Sequence, residues 1–463
     1  MNLSFHGADQ GVTGSCHLVN CAGKQILIDC GMYQGGRELD EENHKAFGFD
    51  PVQVDFVLLT HAHLDHCGRL PLLAKRGFKG EIITTAASRE LARLVMVDAA
   101  HLQEEEVKHR EHRSKHRAKH KHTEEPLYTI LDAFLALDYF GRVAEYGKPV
   151  QLAPGIRATF LDAGHILGSA SVFLELEEAG QKRSVLFSGD LGNSGRPLLR
   201  DPAPPPHADV VVMETTYGDR LHKPFQPSVE EFYAAITDTF KRGGNVVIPT
   251  FALERAQELL FFLREGVEQN LLPQSMQVFL DSPMAISATE IFQRHSDCYD
   301  EETAKLFRDG RDPFNLHGLH FTRDTPDSIA INSVGGGAVI MAGSGMCTGG
   351  RIRHHLQNNI SREECSIVFV GFAASATLAR RIIDGEKEVK IYGEKFTVQA
   401  KIYTINGFSA HADQVELLAW HKKIGNPKRT FLVHGEQETM RQFSKKLEGT
   451  TVEMPVLNES FTL

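Results

Sequence analysis

The stretch VLLTHAHLDHCGRL, residues 57–70, sets His61, His63, Asp65 and His66 at the end of an apolar run. Imidazole nitrogens and carboxylate oxygens are donors that hold a divalent cation once fixed spacing brings them together. With 23 histidines in 463 residues, His-x-His-x-Asp-His arises by chance in roughly three such chains per thousand, so the pattern is read as a site and not as a polar loop. His61 and His63, two apart at a strand end, point the same way and can share one cation. Asp65 and His66 are then placed for a second. More donors stand in matching contexts, each after an apolar strand: His165 in DAGHILGSAS, Asp190 in LFSGDLG and His434 in FLVHGE. Polar residues at the rim of packed sheets can gather from remote positions around a pair of metals.

Composition bounds the rest. An apolar fraction of 41% with 24% charged residues fits a globular chain of two or three domains. No apolar leader and no run near the roughly 18 residues of a membrane span is present, so no membrane association is expected. Seven cysteines, at 16, 21, 30, 67, 298, 347 and 365, form no C-x-x-C pair. That predicts reduced thiols in a cytoplasm, with Cys67 a small buried filler despite its place beside His66. The net charge of −10 excludes a surface that binds nucleic acid all over and leaves room only for a local patch. The segment EEEVKHREHRSKHRAKHKHTEE (104–125) lacks an apolar stripe. It is read as a solvated helix extension with alternating charges, in preference to an RNA-gripping or metal-collecting arm.

The elements that must position these donors follow from texture. KQILIDCG and VDFVLLTH read as buried strands, AASRELARLVMVDAAHL as a helix, and SVFLELEEAGQKRSVLFSGDLG as a hairpin turning at Ala179-Gly180-Gln181. DPAPPPHAD (201–209) breaks the pattern and is taken as a linker. Beyond it, ADVVVMETTYG, NVVIPTF, MQVFLDSP, AVIMAGSG and CSIVFVGF are continuous apolar strands mostly followed by helices such as ALERAQELLFFLREGVE. Such alternation predicts a parallel, doubly wound sheet. A strand-rich texture returns near residue 396.

HAHLDH, the GHILGSAS histidine, the SGDLG aspartate and DCG around Asp29 resemble the signature of the metallo-β-lactamase fold. METTYGDR, GFSAHAD and FLVHGE, with PTFALERAQELL, VFLDSPMAISATEIF and GSGMCTGGRIRHHL, are similar to the further motifs of the β-CASP nucleases. The likeness spans nearly the whole chain. GFAASATLARRI departs from the family's pattern, which carries a glutamine and a Gly-Thr-Leu-Gly run; the departure bears on substrate contacts and touches no metal ligand.

The resemblance implies an α/β (α+β) protein: a metallo-β-lactamase αββα sandwich interrupted by a parallel α/β β-CASP domain. The expected bounds are 1–207 and 396–463 for the sandwich and 208–395 for the insertion. It implies that His61, His63 and His165 hold one metal, that Asp65, His66 and His434 hold another, and that Asp190 bridges them, with Asp29 orienting ligands. Nitrogen and carboxylate donors without thiolate suit two zinc ions per chain, manganese being the alternative. Two such ions can generate a hydroxide near neutral pH and clamp a phosphate. His411 would then protonate the leaving group, held by Glu214. In the glycine-rich loop AGSGMCTGGR, Ser344, Gly345 and Arg351 are candidate phosphate contacts, joined by Ser409. The expected activity is hydrolysis of single-stranded RNA in the cleft between the domains, with a homodimer left open. The rivals are a hydrolase of small esters, lactones or thioesters, a DNA nuclease, and a non-catalytic RNA-processing scaffold.

Overall fold

The computed structural model describes residues 1–115, 125–371, 373 and 377–463. The chain forms two compact units, one from Met1–Gly195, Arg200–Leu221 and His411–Leu463, the other from Arg196–Leu199 and His222–Ala410.

The first unit is built on two seven-stranded sheets. One runs in the order Ser460–Thr462, Asn2–Phe5, His17–Cys21, Lys24–Ile28, Phe56–Leu58, Glu81–Thr85 and Phe140–Ala144. The other runs Thr451–Glu453, Arg429–Val433, Val210–Glu214, Gln181–Phe187, Ala170–Glu178, Ile156–Asp162 and Pro149–Ala153. Alternate residues of both sheets meet in one core: Leu3, Phe5, Ile26, Ile28 and Leu58 from the first, with Phe160, Val172, Leu174, Val210, Val212 and Phe431 from the second. Each large apolar side chain so buried contributes about 1.5–3 kcal/mol. Helices cover the outer faces. Ala86–Lys115 packs on Glu81–Thr85 and Phe140–Ala144. On the second sheet, Val211, Met213 and Leu432 meet Leu417, Trp420, Met440 and Phe443 of two C-terminal helices.

Two sequence readings change here. Strand Val210–Glu214, taken as the opening of the inserted domain, belongs to the first unit and lies parallel between Gln181–Phe187 and Arg429–Val433. Its two faces are both covered, Val210 and Val212 by the inter-sheet core and Val211 and Met213 by the helices. A strand buried on both sides loses its alternation and reads like a strand of a doubly wound domain. The proline-rich 201–209 stretch likewise lies within the first unit, where Ala203 N–H donates to the Asp162 carbonyl (2.8 Å) and Pro205 is buried. The hairpin turns on two residues and not three: Ala179 (φ 51°) and Gly180 (φ 80°) have the paired positive φ that matches strand twist.

The second unit carries a six-stranded parallel sheet in the order Leu319–Phe321, Gln277–Leu280, Ala338–Ala342, Val246–Pro249, Ser366–Val370 and Lys401–Ile405. A small antiparallel hairpin, Glu388–Ile391 with Glu394–Thr397, stands beside it. Among the described residues, all seven cysteines are free and buried. No helix of the described residues is long and apolar enough to cross a membrane. The helix that opens the 104–125 charge run extends to Lys115, and 116–124 lie outside the described residues.

Two stability predictions follow from helix Gln414–Ile424. Asp413 caps it, accepting from Val415 and Glu416 N–H while Glu416 accepts from Asp413 N–H. Asp413→Ala should cost about 1 kcal/mol or somewhat more, read by denaturant unfolding of Trp420 fluorescence. On the same helix, burial depresses the His421 pKa to about 4 from 6.5. The folded state therefore binds fewer protons than the unfolded chain between these values, so stability declines as pH falls through 6.5 toward 4. His421→Gln should flatten that part of the stability–pH curve; an unchanged slope would contradict the assignment.

Candidate metal centre

Strand Phe56–Leu58 delivers Thr60 and His61 to the rim of its sheet, and His63 caps the single helical turn Leu64–Cys67 that turns Asp65 and His66 back toward it. His165 follows strand Ile156–Asp162, Asp190 follows Gln181–Phe187, and His434 follows Arg429–Val433 with φ 50°. All are in the first unit. The structure brings together every residue singled out as a ligand, in two neighbouring sets. His61, His63, His165 and Asp190 place one donor atom each within 4.8 Å of the others, and so do Asp65, His66 and His434. A third group joins Asp190, Glu214 and His434.

In the first set, His61 Nε2 lies 3.1 Å from His63 Nδ1, His165 Nε2 lies 3.2 Å from it, and Asp190 Oδ2 is 3.5 and 3.6 Å from His61 and His165. In the second, His434 Nε2 is 3.3 Å from both His66 Nε2 and Asp65 Oδ2, and Asp190 Oδ1 is 3.4 Å from His66 Nε2. Four donors around a tetrahedral ion at about 2.1 Å stand about 3.4 Å apart. The donor sets fit divalent cations on that count. They also fit by chemistry, because Asp190 Oδ1 is buried without a hydrogen-bond partner. Cys67 takes no part; its thiol donates to the Ala62 carbonyl.

Hydrogen bonds decide which ring nitrogen faces the cluster. Asp29, held at φ 60°, accepts from His66 Nδ1–H (2.7 Å) and from the Thr60 hydroxyl (2.9 Å). Having donated its proton to Asp29, Thr60 Oγ1 accepts from His61 Nδ1–H (3.1 Å). One buried carboxylate thus turns Nε2 of a histidine in each set toward the cluster. Thr216 does the same for His434: its hydroxyl donates to the His434 carbonyl (3.2 Å) and accepts from Nδ1–H (3.1 Å). Thr60 and Thr216 were not singled out in the sequence. The signal available was a hydroxyl beside His61 and another two residues after Glu214.

Electrostatics follows the same division. Burial, together with the nearby His66, holds His61 well below its ordinary pKa, and burial takes His63 to about 4, so both keep lone pairs. Burial opposes charge on His66, but Asp190 and Asp29 overcome it and raise its pKa well above the usual value. Asp190, although buried, is held well below the carboxylate range by His434, His66 and His61.

Glu214 is fully buried; its Oε1 accepts from Leu191 N–H (2.6 Å), and its two oxygens lie 3.3 and 3.2 Å from His411 Nδ1. Burial would lower the His411 pKa, but the Glu214 carboxylate, helped by Asp190 and Asp65, lifts it to about 9. Ser344, Gly345, Arg351 and Ser409 belong to the second unit. Arg351 is turned inward: it donates to Asp281 Oδ1 (2.7 Å), the Thr322 carbonyl (3.0 Å) and the Arg323 carbonyl (2.6 Å). Ser344 Oγ accepts from Thr348 and Gly349 N–H and so closes its own loop. Gly345 and Met346 N–H are left without a partner among the described residues.

Family models match for the metallo-beta-lactamase superfamily over residues 10–250, the Beta-Casp domain over 256–382 and the Zn-dependent metallo-hydrolase RNA specificity domain over 395–456. Ribonuclease TTHA0252 of Thermus thermophilus is 41% identical over 96% of both chains. Transcription termination factor FttA of Methanocaldococcus jannaschii is 30% identical, over 96% of this chain and 70% of that one. The RNase J-like protein of the same archaeon is 28% identical over 97% and 96%. A crystal structure of a protein of unknown function from Enterococcus faecalis V583 shares the fold at TM-score 0.56 and 11% identity, over 100% and 99% of the chains. The chain belongs to the metallo-β-lactamase superfamily, in the branch that carries the Beta-Casp domain, and with it to the metal-dependent hydrolases.

The tautomer network is directly testable. Asp29→Ala should lower divalent-metal affinity about 10- to 100-fold, measured on the metal-free protein by competition with a chromophoric chelator. Thr216→Val should weaken one site only, and Thr216→Ser should restore it. Unchanged affinity in both Asp29→Ala and Thr216→Val would mean that the network does not prepare the donors.

Proposed function

We propose that this chain is a zinc-dependent ribonuclease that hydrolyses phosphodiester bonds of single-stranded RNA in RNA processing or decay in the cytoplasm. The observation that carries the reading is the pair of neighbouring donor sets with Asp190 close to both, found in a chain 41% identical to a protein named a ribonuclease. In it His61, His63 and His165 hold one ion, Asp65, His66 and His434 a second, and Asp190 lies between them. Asp29 orients His66 directly and His61 through Thr60. Two divalent ions held there supply the Lewis acidity that activates water near neutral pH and offsets phosphate charge.

The remaining work falls to the chain's own groups. His411 donates Nδ1–H to Glu214, which fixes the ring and keeps it cationic at neutral pH. Its Nε2 proton is then available to the departing ribose oxygen, which would otherwise leave as an alkoxide. Because Glu214 is anchored by Leu191 N–H, the imidazole is presented in one orientation. In the second unit, Gly345 and Met346 N–H, with Ser344 shaping the loop, offer a cradle for a phosphate of the bound strand. Arg351 supports that loop from behind through Asp281.

Protein purified without chelators and supplied with zinc should carry about two ions per chain. It should cut end-labelled single-stranded RNA, but not after chelation. A trace of metal, or cleavage indifferent to chelator, would overturn the reading. His411→Ala should retain both ions and lose about 10²–10⁴ in rate on RNA. The loss should shrink on a nitrophenyl phosphodiester, whose leaving group needs no proton. His434→Ala should lose one ion and fail on both substrates. Equal damage to both substrates in His411→Ala, with metals intact, would remove it from the acid role. Robust hydrolysis of small esters with no action on RNA would instead favour the small-molecule hydrolase.

A further inference from the structure

In the second unit, the sheet order makes a crevice. The crossover from Val246–Pro249 leads to Gln277–Leu280 on one side, and that from Ala338–Ala342 leads to Ser366–Val370 on the other. Right-handed crossovers in opposite directions put their helices on opposite faces. The two adjacent strands therefore part at their carboxyl ends, where open α/β sheets bind ligands. The loops that leave these ends carry Phe251 and the glycine-rich segment 343–350.

Phe251 is an apolar ring held out in solvent. It is 44% exposed although its neighbour Thr250 is fully buried. Its backbone is pinned on both sides. Thr250 N–H donates to the Ala342 carbonyl (3.0 Å), and Gln257 Nε2 donates to the Ala252 carbonyl (3.2 Å). The loop ends at Glu254 in a tight γ-turn, φ 63° and ψ −58°, with Arg255 N–H donating to the Leu253 carbonyl (2.8 Å). That conformation is strained for a residue with a side chain, and such strain gathers where a loop is held for use.

One face of the ring is closed by the glycine loop. A Cβ at Gly345 would stand 2.8, 2.9 and 3.2 Å from Cε2, Cδ2 and Cζ of Phe251. Near-equal distances to three neighbouring atoms place that point over the ring face and not at its edge, so only glycine lets the loop lie flat on it. Gly345, whose N–H like that of Met346 has no partner among the described residues, thus stands against an aromatic surface. An anion cradle next to a rigid, open ring matches one repeating unit of a nucleic acid strand, a phosphate and a base.

We propose that Phe251 is a stacking platform for one unpaired base of the RNA strand whose phosphate lies on the Gly345–Met346 amides. Stacking explains why an apolar ring is kept exposed and rigid. It also calls for an unpaired strand, since a base in a duplex has no free face to offer. The platform accepts any base, because each presents a π-face. The assignment rests on the ribonuclease reading above.

The test uses full-length protein supplied with zinc and a strand whose phosphodiesters resist hydrolysis, so that binding is measured without cleavage. The probe is a short fluorescent single-stranded oligoribonucleotide, intact or with a single abasic residue moved along its length. Wild-type protein should lose about 5- to 150-fold in affinity when the abasic residue reaches one position. Phe251→Ala should bind the intact strand weaker by a similar factor and no longer respond to that abasic residue. Phe251→Tyr should restore both affinity and response, and Phe251→Leu, apolar without a ring, should restore neither. Thermal unfolding of the variants checks that the fold is retained. Intact-strand affinity of Phe251→Ala equal to wild type overturns the platform alone. An abasic penalty that persists in Phe251→Ala does the same. Failure of the wild-type protein to bind the intact strand overturns the ribonuclease reading with it.

Discussion

The buried carboxylate of Asp190 is the group on which the first unit depends. It is 2% exposed, and burying a carboxylate costs several kcal/mol unless opposing charge and donors surround it. The offsetting charge comes from His66 and His434, both held above their ordinary pKa beside Oδ1, while the rings of His61 and His165 lie beside Oδ2. Those four histidines come from three separate stretches of chain and from both sheets. The compensation therefore exists only while the two sheets keep their register, and the inter-sheet core of Phe5, Phe160, Phe187 and Phe431 keeps it. Packing and site chemistry are one constraint seen from two sides.

Around that carboxylate, hydroxyls and a second carboxylate resolve an ambiguity inherent in histidine. Each imidazole has two nitrogens, and only one can face the cluster. Asp29 fixes His66 and, through Thr60, His61; Thr216 fixes His434; Glu214 fixes His411. The pKa pattern varies within a few ångströms. His61 and His63 are held neutral, His66 and His434 are raised by the carboxylates beside them, and His411 is held cationic by Glu214. Neutral rings suit ligation, and a cationic ring suits proton donation.

The second unit repeats the logic with different residues. Asp281, fully buried, accepts from Arg351, His355, Ser328 and Thr322, and these bonds outweigh burial to bring its pKa to about 2. This network draws the arginine away from solvent and braces the glycine-rich loop. What the loop then presents is backbone amide and, beside it, the ring of Phe251.

Much of the site was legible because its information is local. His61, His63, Asp65 and His66 lie within six residues, so one strand end and one helical turn determine their grouping. The apolar strands before His165, Asp190 and His434 announced a rim position for each. Other features depended on contacts that no local pattern encodes. Val210–Glu214 read as a strand of the inserted domain because both of its faces are buried, a property of its partners and not of its own residues. Arg351 read as a phosphate ligand from its place after a glycine loop, but Asp281, 70 residues away, claims it. The Thr216–His434 bond spans 218 residues. The sequence by itself determined which donors the chain owns and that strand ends would carry them. Only the tertiary structure decided which nitrogen these histidines turn inward and that Asp281 claims Arg351, because those choices belong to hydrogen bonds between segments that meet only in the folded state.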